Sequence, residues 1–154
     1  FRGVPIDGGV FYTENQWAAE TNPWHVGGVW VIGGRESQPV VRLDAASPDD
    51  GETLIGEMTY AGEGPIGFRA VRVVSNVYQV ENQWGGSDAP WHTGGYWVIG
   101  GRGDQRIVAI AVRAADHTLT GQITYSGEGD IRFRAVSLAS WNDAVRYGGS
   151  FFSR

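Results

Sequence analysis

The sequence contains no cysteine among its 154 residues, which excludes disulfide bonds and thiolate metal sites. It contains no lysine either, since all 12 basic residues are arginines, and the formal net charge is -5. An acidic chain lacks the basic stripe that nucleic-acid phosphates require, so no nucleic-acid partner is expected. No apolar run approaches the ~18 residues of a membrane-spanning helix, so no membrane insertion is expected.

Glycine is abundant instead, with 24 residues, which predicts many tight turns.

The sequence also contains an internal repeat. The segment "ENQWAAETNPWHVGGVWVIGGR" from Glu14 matches "ENQWGGSDAPWHTGGYWVIGGR" from Glu81, 67 positions later. Further along, the separation falls to 65, as between Tyr60 and Tyr125, because a polar connection is two residues shorter in the second copy.

This internal repeat organises the expected domain. Roughly half of the aligned positions are identical, which is too many for chance. We place repeat one at about 10–74 and repeat two at about 77–138, with only a residue or two between them. Residues 1–154 are expected to form a single domain in which both repeats share one core. Residues 1–9 and 139–154 are extensions to which the sequence assigns no role.

Both repeats have the pattern of β-strands. The segments "LIGEMTY" (Leu54–Tyr60) and "LTGQITY" (Leu119–Tyr125) alternate between two faces, and no window shows a capped helical stripe. About five short strands in each repeat, joined by glycine turns, predict an all-β fold of about ten antiparallel strands. A closed barrel or a closed sandwich is favoured, because closure removes exposed sheet edges.

Six tryptophans occur in three pairs with one member in each repeat: Trp17 and Trp84, Trp24 and Trp91, Trp30 and Trp97. The third pair precedes the apolar "VIGGR" on a strand and is expected in the core. The first pair follows "ENQ" and precedes small residues, so its rings are expected to be exposed. The second pair follows proline in the same loop and is a candidate for the opposite wall of a site.

An exposed flat ring beside glycine backbone suits a sugar, whose apolar C–H face lies on the ring while its hydroxyls need hydrogen bonds. Charged partners make the stronger hydrogen bonds. Arg35 and Arg102 close the two "GGR" turns as candidate donors, and Glu63 and Glu128 in the two "GEG" turns are candidate acceptors. Taken alone, each is more often an ordinary solvated turn charge. Their recurrence in both copies favours binding.

Sites of other kinds are not supported. The glycine pattern "GEGPIG" is followed by a strand and not by the helix of a nucleotide site, and "SPDDGE" lacks the spaced ligands of a calcium loop. His25 and His92 have no metal-ligand neighbours, so no metal and no cofactor is expected. Glu63 and Glu128 occupy equivalent positions, which does not suit the unequal acid and base roles of one catalytic site. No catalytic residue is therefore assigned.

The segments "ENQWGGSDAPWHTGG", "MTYAGEG" and "GEGPIGFRA" closely resemble the Oscillatoria agardhii agglutinin homologue family of lectins. The resemblance covers roughly residues 10–138. It implies a single compact barrel of ten antiparallel strands that recognises high-mannose N-glycans and glycoproteins without catalysis or metal. We expect a monomer. The alternatives from other classes are a glycoside hydrolase and a binding module of a larger adhesin or toxin.

The resemblance also implies two sugar sites, each combining the tryptophan loop of one repeat with the arginine and glutamate of the other. The Trp84 site consists of Trp84, Gly85, Gly86, Arg35 and Glu63. The Trp17 site consists of Trp17, Ala18, Ala19, Arg102 and Glu128.

This chain departs from the family pattern mainly in the Trp17 site. The loop there has "WAA" in place of "WGG", and the facing turn has "GEGDIRF" in place of "GEGPIGF". Asp130 and Arg132 are the new residues of that turn, and Arg132 is a candidate to pair with Asp130 or Glu128. The Trp17 site is therefore expected to bind more weakly or to prefer another sugar.

Overall fold

The computed structural model describes residues 9–17, 21–33, 38–100, 105–115 and 118–137, and the regular structure of these residues is entirely β-strand. No helix long and apolar enough to cross a membrane occurs in them. The ten strands are β1 (Val10–Gln16), β2 (His25–Val31), β3 (Val40–Ala46), β4 (Thr53–Tyr60), β5 (Ile66–Val74), β6 (Val77–Gln83), β7 (His92–Val98), β8 (Ile107–Ala115), β9 (Thr118–Tyr125) and β10 (Asp130–Ser137).

The strands close into one antiparallel barrel in the order β1-β10-β9-β8-β3-β4-β5-β6-β7-β2. The predicted all-β barrel of ten strands is thus confirmed. Its order interleaves the repeats, because β1 of repeat one pairs with β10 of repeat two along six residues. Ladders also join β3 to β8, and β2 meets β7 at the single pair Val31 and Val98.

The third tryptophan pair lies in the core, as predicted. Trp30 is fully buried, and its indole N–H donates to the Gly27 carbonyl at 2.8 Å. Its ring packs against Phe133 of the other repeat, with ring centroids 4.9 Å apart. Trp97 is also fully buried and has the equivalent arrangement in the other half of the barrel. The barrel interior is therefore built jointly by both repeats.

Strand pairing also decides which loops become neighbours. Since β1 pairs with β10, the β1–β2 loop that follows Gln16 begins beside the strand that follows the β9–β10 turn. The ladder of β5 with β6 brings the β6–β7 loop beside the β4–β5 turn in the same way. Each tryptophan loop therefore lies next to a glutamate turn of the other repeat.

Candidate functional site

A groove of about 480 Å³ lies where the β6–β7 loop meets the β4–β5 turn, and it is lined by Trp84, Glu63, Gly64, Pro65 and Ile66. The Trp84 side chain belongs to repeat two and the other four residues belong to repeat one. Trp84 is 47% exposed, so a large part of its ring is accessible. The structure thus brings together two residues that were predicted to share a site.

Histidine rings support both exposed tryptophans. Trp84 stacks on His92 with ring centroids 4.2 Å apart and an interplanar angle of 17°. Trp17, which is 43% exposed, stacks on His25 at 4.3 Å and 12°. One face of each indole is thus covered by imidazole, and each ring remains partly exposed. No group of His, Cys, Asp or Glu suited to a metal ion occurs among the residues that the structure describes.

Glycine is required by the backbone conformation in the loop that follows Trp84. Gly85 has a φ of 91° and Gly86 a φ of 113°, in the region that L side chains rarely adopt. Space is not the constraint, since a Cβ on Gly86 would meet no atom within 4 Å. The equivalent residues Ala18 and Ala19 lie outside the described part of the chain.

A glutamine that the sequence analysis missed holds each glutamate carboxylate. Gln38 donates from Nε2 to Glu63 Oε2 at 3.0 Å and to the Ala61 carbonyl at 2.8 Å. Gln105 donates in the same way to Glu128 Oε2 at 2.8 Å. These glutamines are 67 positions apart, the same spacing as the tryptophan pairs, and that was the signal available in the sequence.

In the second tryptophan pair, an arginine guanidinium covers one face of each ring. The Arg69 guanidinium lies 4.1 Å above the Trp91 ring, and Arg69 Nε also donates to Glu81 at 2.7 Å. Arg134 covers Trp24 at the same distance. Trp91 is not among the residues that line the Trp84 groove, so the structure does not place it as an opposing wall there. The same role for Trp24 stays a prediction.

The Trp17 site differs from the Trp84 site around β10. Asp130 takes the position of the groove-lining Pro65, and Asp130 Oδ1 accepts a hydrogen bond from the Thr124 hydroxyl at 2.6 Å. Arg132 donates from Nε to Gln16 Oε1 at 3.0 Å, so its pairing differs from the expected partners Asp130 and Glu128. Gln16 directly precedes Trp17 and therefore ties the β1–β2 loop to β10.

Two predicted site residues cannot be placed against these rings, because Arg35 and Arg102 lie outside the described residues.

A second groove of about 410 Å³ crosses the outer wall over β3 and β8, and Asp44, Ala109 and Thr124 are among its lining residues. No aromatic ring lines that groove, which leaves the tryptophan loops as the stronger candidates.

The sequence model of the OAA-family lectin sugar binding domain matches this chain twice, at residues 9–73 and 76–137, which confirms the tandem repeat. Lectin OAA of Planktothrix agardhii is 53% identical over 131 residues, covering 84% of this chain and 99% of that protein. Myxobacterial hemagglutinin of Myxococcus xanthus is 53% identical over 137 residues, covering 88% of this chain and 51% of that protein.

Solved structures agree with these sequence relatives. The glycan-bound Pseudomonas taiwanensis lectin has a TM-score of 0.80 and 58% identity, and the match covers 82% of this chain and 97% of that one. The Myxococcus xanthus hemagglutinin in complex with α3,α6-mannopentaose has a TM-score of 0.82 and 53% identity, and the match covers 86% of this chain and 50% of that one. This chain spans about half the length of that hemagglutinin.

Proposed function

Because the chain belongs to the OAA family of carbohydrate-binding lectins, which are not enzymes, we propose that it recognises high-mannose N-glycans through two sites on one barrel. The observation that carries the proposal is the groove in which Trp84 of one repeat faces Glu63 of the other. The similar hemagglutinin crystallised with a mannopentaose supports the sugar class. High-mannose glycoproteins are the proposed partners, and the proposed state is a monomeric single domain over residues 1–154.

The proposed Trp84 site consists of Trp84, Gly85, Gly86, Arg35 and Glu63. Its second copy consists of Trp17, Ala18, Ala19, Arg102 and Glu128. In each site the tryptophan loop and the charged pair come from different repeats, so neither repeat alone provides a complete site.

Sugar recognition follows from how the Trp84 groove is preorganised. The apolar C–H face of a mannose ring lies on the open face of Trp84, and His92 holds the indole from behind. Sugar hydroxyls donate to the Glu63 carboxylate, which Gln38 orients, and charge-assisted hydrogen bonds of this kind are the stronger ones. Since both groups are held before the sugar arrives, little ordering entropy is lost on binding.

A glycan array with matched variants tests the proposal. The unmodified protein is expected to bind oligomannose glycans, and the double variant Trp17→Ala, Trp84→Ala is expected to lose that binding. Tyr96→Ala is the matched control, because Tyr96 is also an exposed ring, at 61%, but lies outside both proposed sites. Oligomannose binding that survives in the double variant, or that is lost equally in the control, contradicts the proposal.

A further inference from the structure

We propose that the β3–β4 turn, residues 47–52, positions the glutamate arm of the Trp17 site. The inference rests on the proposed function, since it concerns how Glu128 is presented to the sugar. This turn contains the two residues by which repeat one is longer than repeat two. On this inference the insertion acts on the Trp17 site, and the corresponding turn of repeat two lacks it.

Two side-chain contacts join this turn to the Glu128 region. The Ser126 hydroxyl donates to Asp50 Oδ1 at 2.7 Å, across 76 positions of sequence. Arg106 Nη1 lies 2.7 Å from Glu52 Oε1. Ser126 is two residues before Glu128, and Arg106 directly follows Gln105, whose amide holds the Glu128 carboxylate. Each contact therefore ends on a residue that is adjacent or nearly adjacent in sequence to Gln105 or Glu128.

Hydrogen bonds carry the constraint from these two residues to the carboxylate. The Ser126 N–H donates to the Arg106 carbonyl at 2.8 Å, which links the two contact points through the backbone. Gln105 Nε2 donates to the Ser126 carbonyl at 3.2 Å and to Glu128 Oε2 at 2.8 Å. Fixing Ser126 and Arg106 therefore fixes the backbone that carries Gln105 and Glu128.

Hydrogen bonds within the β3–β4 turn hold it in one conformation, which it needs in order to support Ser126 and Arg106. Asp49 accepts hydrogen bonds from the backbone N–H of Thr53 at 2.8 Å and from its hydroxyl at 2.9 Å. Ser47 Oγ accepts from the Gly51 N–H at 2.6 Å. Gly51 packs so closely that an added Cβ would lie 2.4 Å from the Arg106 Cβ. The turn is thus held by its own hydrogen bonds and fits against Arg106.

The Trp84 site has no equivalent support from these two positions. Pro39 stands in the position of Arg106, and Ala61 stands in the position of Ser126. The backbone bond from the Ala61 N–H to the Pro39 carbonyl remains, at 2.9 Å, but neither side chain has a donor. Proline restricts the glutamate turn of that site, whereas Asp130 occupies its place in the Trp17 site. In the Trp17 site, contacts with the β3–β4 turn therefore restrict the glutamate turn, as the proline does in the Trp84 site.

The first test measures how well ordered the Glu128 turn is when no sugar is present. Amide hydrogen exchange of residues 127–129 in Ser126→Ala is expected to become faster, while residues 62–64 in the same molecule stay unchanged as the internal reference. Ser126→Thr keeps the hydroxyl and is expected to restore the slow exchange. Exchange at residues 127–129 that is unchanged in Ser126→Ala overturns the inference whether or not the protein binds mannose.

The second test follows the indole signals of Trp17 and Trp84 by NMR during titration with a mannose oligosaccharide. Ser126→Ala is expected to weaken binding at Trp17 by about two- to fivefold, the range of exposed polar contacts, and to leave Trp84 unchanged. Asp50→Asn retains the acceptor oxygen and is expected to match the unmodified protein. Equal losses in Ser126→Ala and Ser126→Thr overturn the positioning role. Indole signals that do not respond in the unmodified protein overturn the proposed function instead.

Discussion

The three tryptophan pairs of the repeats have three different surroundings, and one member of each pair illustrates them. Trp97 is fully buried and packs within the barrel. Trp91 lies under the guanidinium of Arg69, at 4.1 Å. Trp84 has one face on His92 and remains 47% exposed. Of these three arrangements, the last leaves the largest part of the ring exposed, which is why we propose Trp84 as a sugar contact.

Trp84→Ala is expected to remove sugar binding at its site without unfolding the barrel. A stacked ring contributes about 1–2 kcal/mol, so affinity at this site should fall roughly tenfold or more. Trp97→Ala is the contrasting variant, because removing a buried tryptophan typically costs about 3–5 kcal/mol of stability. Thermal unfolding of both variants, with a sugar titration of Trp84→Ala, checks the pair. Unfolding of Trp84→Ala at room temperature would falsify its assignment to the site.

Gly86→Ala is expected to weaken the Trp84 site. Its φ of 113° is unfavourable for any residue with a Cβ, so the loop must change its backbone path to accept alanine. The surrounding space is open, which makes conformation and not crowding the cause. Titration should show a lower affinity at Trp84 with the Trp17 signal unchanged. An unaltered affinity at Trp84 would mean that the loop path is not needed for binding.

The β3–β4 turn is expected to lose part of its stabilisation in acid. The backbone N–H of Thr53 holds the pKa of Asp49 below its ordinary value of 3.8. A lowered folded-state pKa stabilises the protein above the ordinary value, and that contribution is lost as pH falls through the folded pKa. Asp49→Asn lacks this titration. Its melting temperature should lie below that of the unmodified protein near neutral pH and converge with it below pH 3.8. Parallel curves would contradict the prediction.

The strands were predictable from sequence because period-two alternation is local. The strand order was not, since the ladder of β1 with β10 joins Phe11 to Ser137 and no local pattern contains that information. Only the family resemblance implied that the repeats combine at each site. Gln38 and Gln105 were missed although they share the repeat spacing of 67 positions, because a glutamine in a loop does not by itself indicate a role in a site. Their contacts with the glutamates appear only after the barrel closes.

Interleaving of the repeats makes both proposed sites depend on one rigid barrel. Each site takes its tryptophan loop from one repeat and its glutamate turn from the other, and β3 and β8 join the two halves. The distance between the sites is consequently fixed by the fold and not by a flexible linker. Such a pair suits simultaneous binding to two glycan arms on one surface.

Binding to a dense oligomannose surface is therefore expected to be much tighter than binding to a single free arm. The second contact becomes intramolecular once the first has formed, and avidity gains of about 10²-fold or more are typical. Surface binding measured at high and low glycan density checks this. Trp84→Ala should bind both densities similarly, since it retains one site. A titration that finds one bound sugar per unmodified chain would leave no basis for avidity.

The two sites are expected to be unequal, with the Trp84 site binding oligomannose more tightly. Gly85 and Gly86 adopt positive φ there, whereas Ala18 and Ala19 occupy those positions in the other loop and are penalised in such a conformation. At the end of the facing turn, Asp130, the first residue of β10, replaces a proline, so the fixed φ that proline gives the turn is lost.

The support that the β3–β4 turn gives to Ser126 offsets the freedom of the glutamate turn but does not act on the tryptophan loop. With about 0.5–1 kcal/mol for each substitution, a tenfold gap in affinity is expected. The double variant Ala18→Gly, Ala19→Gly should reduce the difference in affinity between the two sites, and adding Asp130→Pro should reduce it further. The indole signals of Trp17 and Trp84 report both affinities in a single titration. If Trp17 saturates at the same or a lower sugar concentration than Trp84 in the unmodified protein, the order of the two sites is wrong.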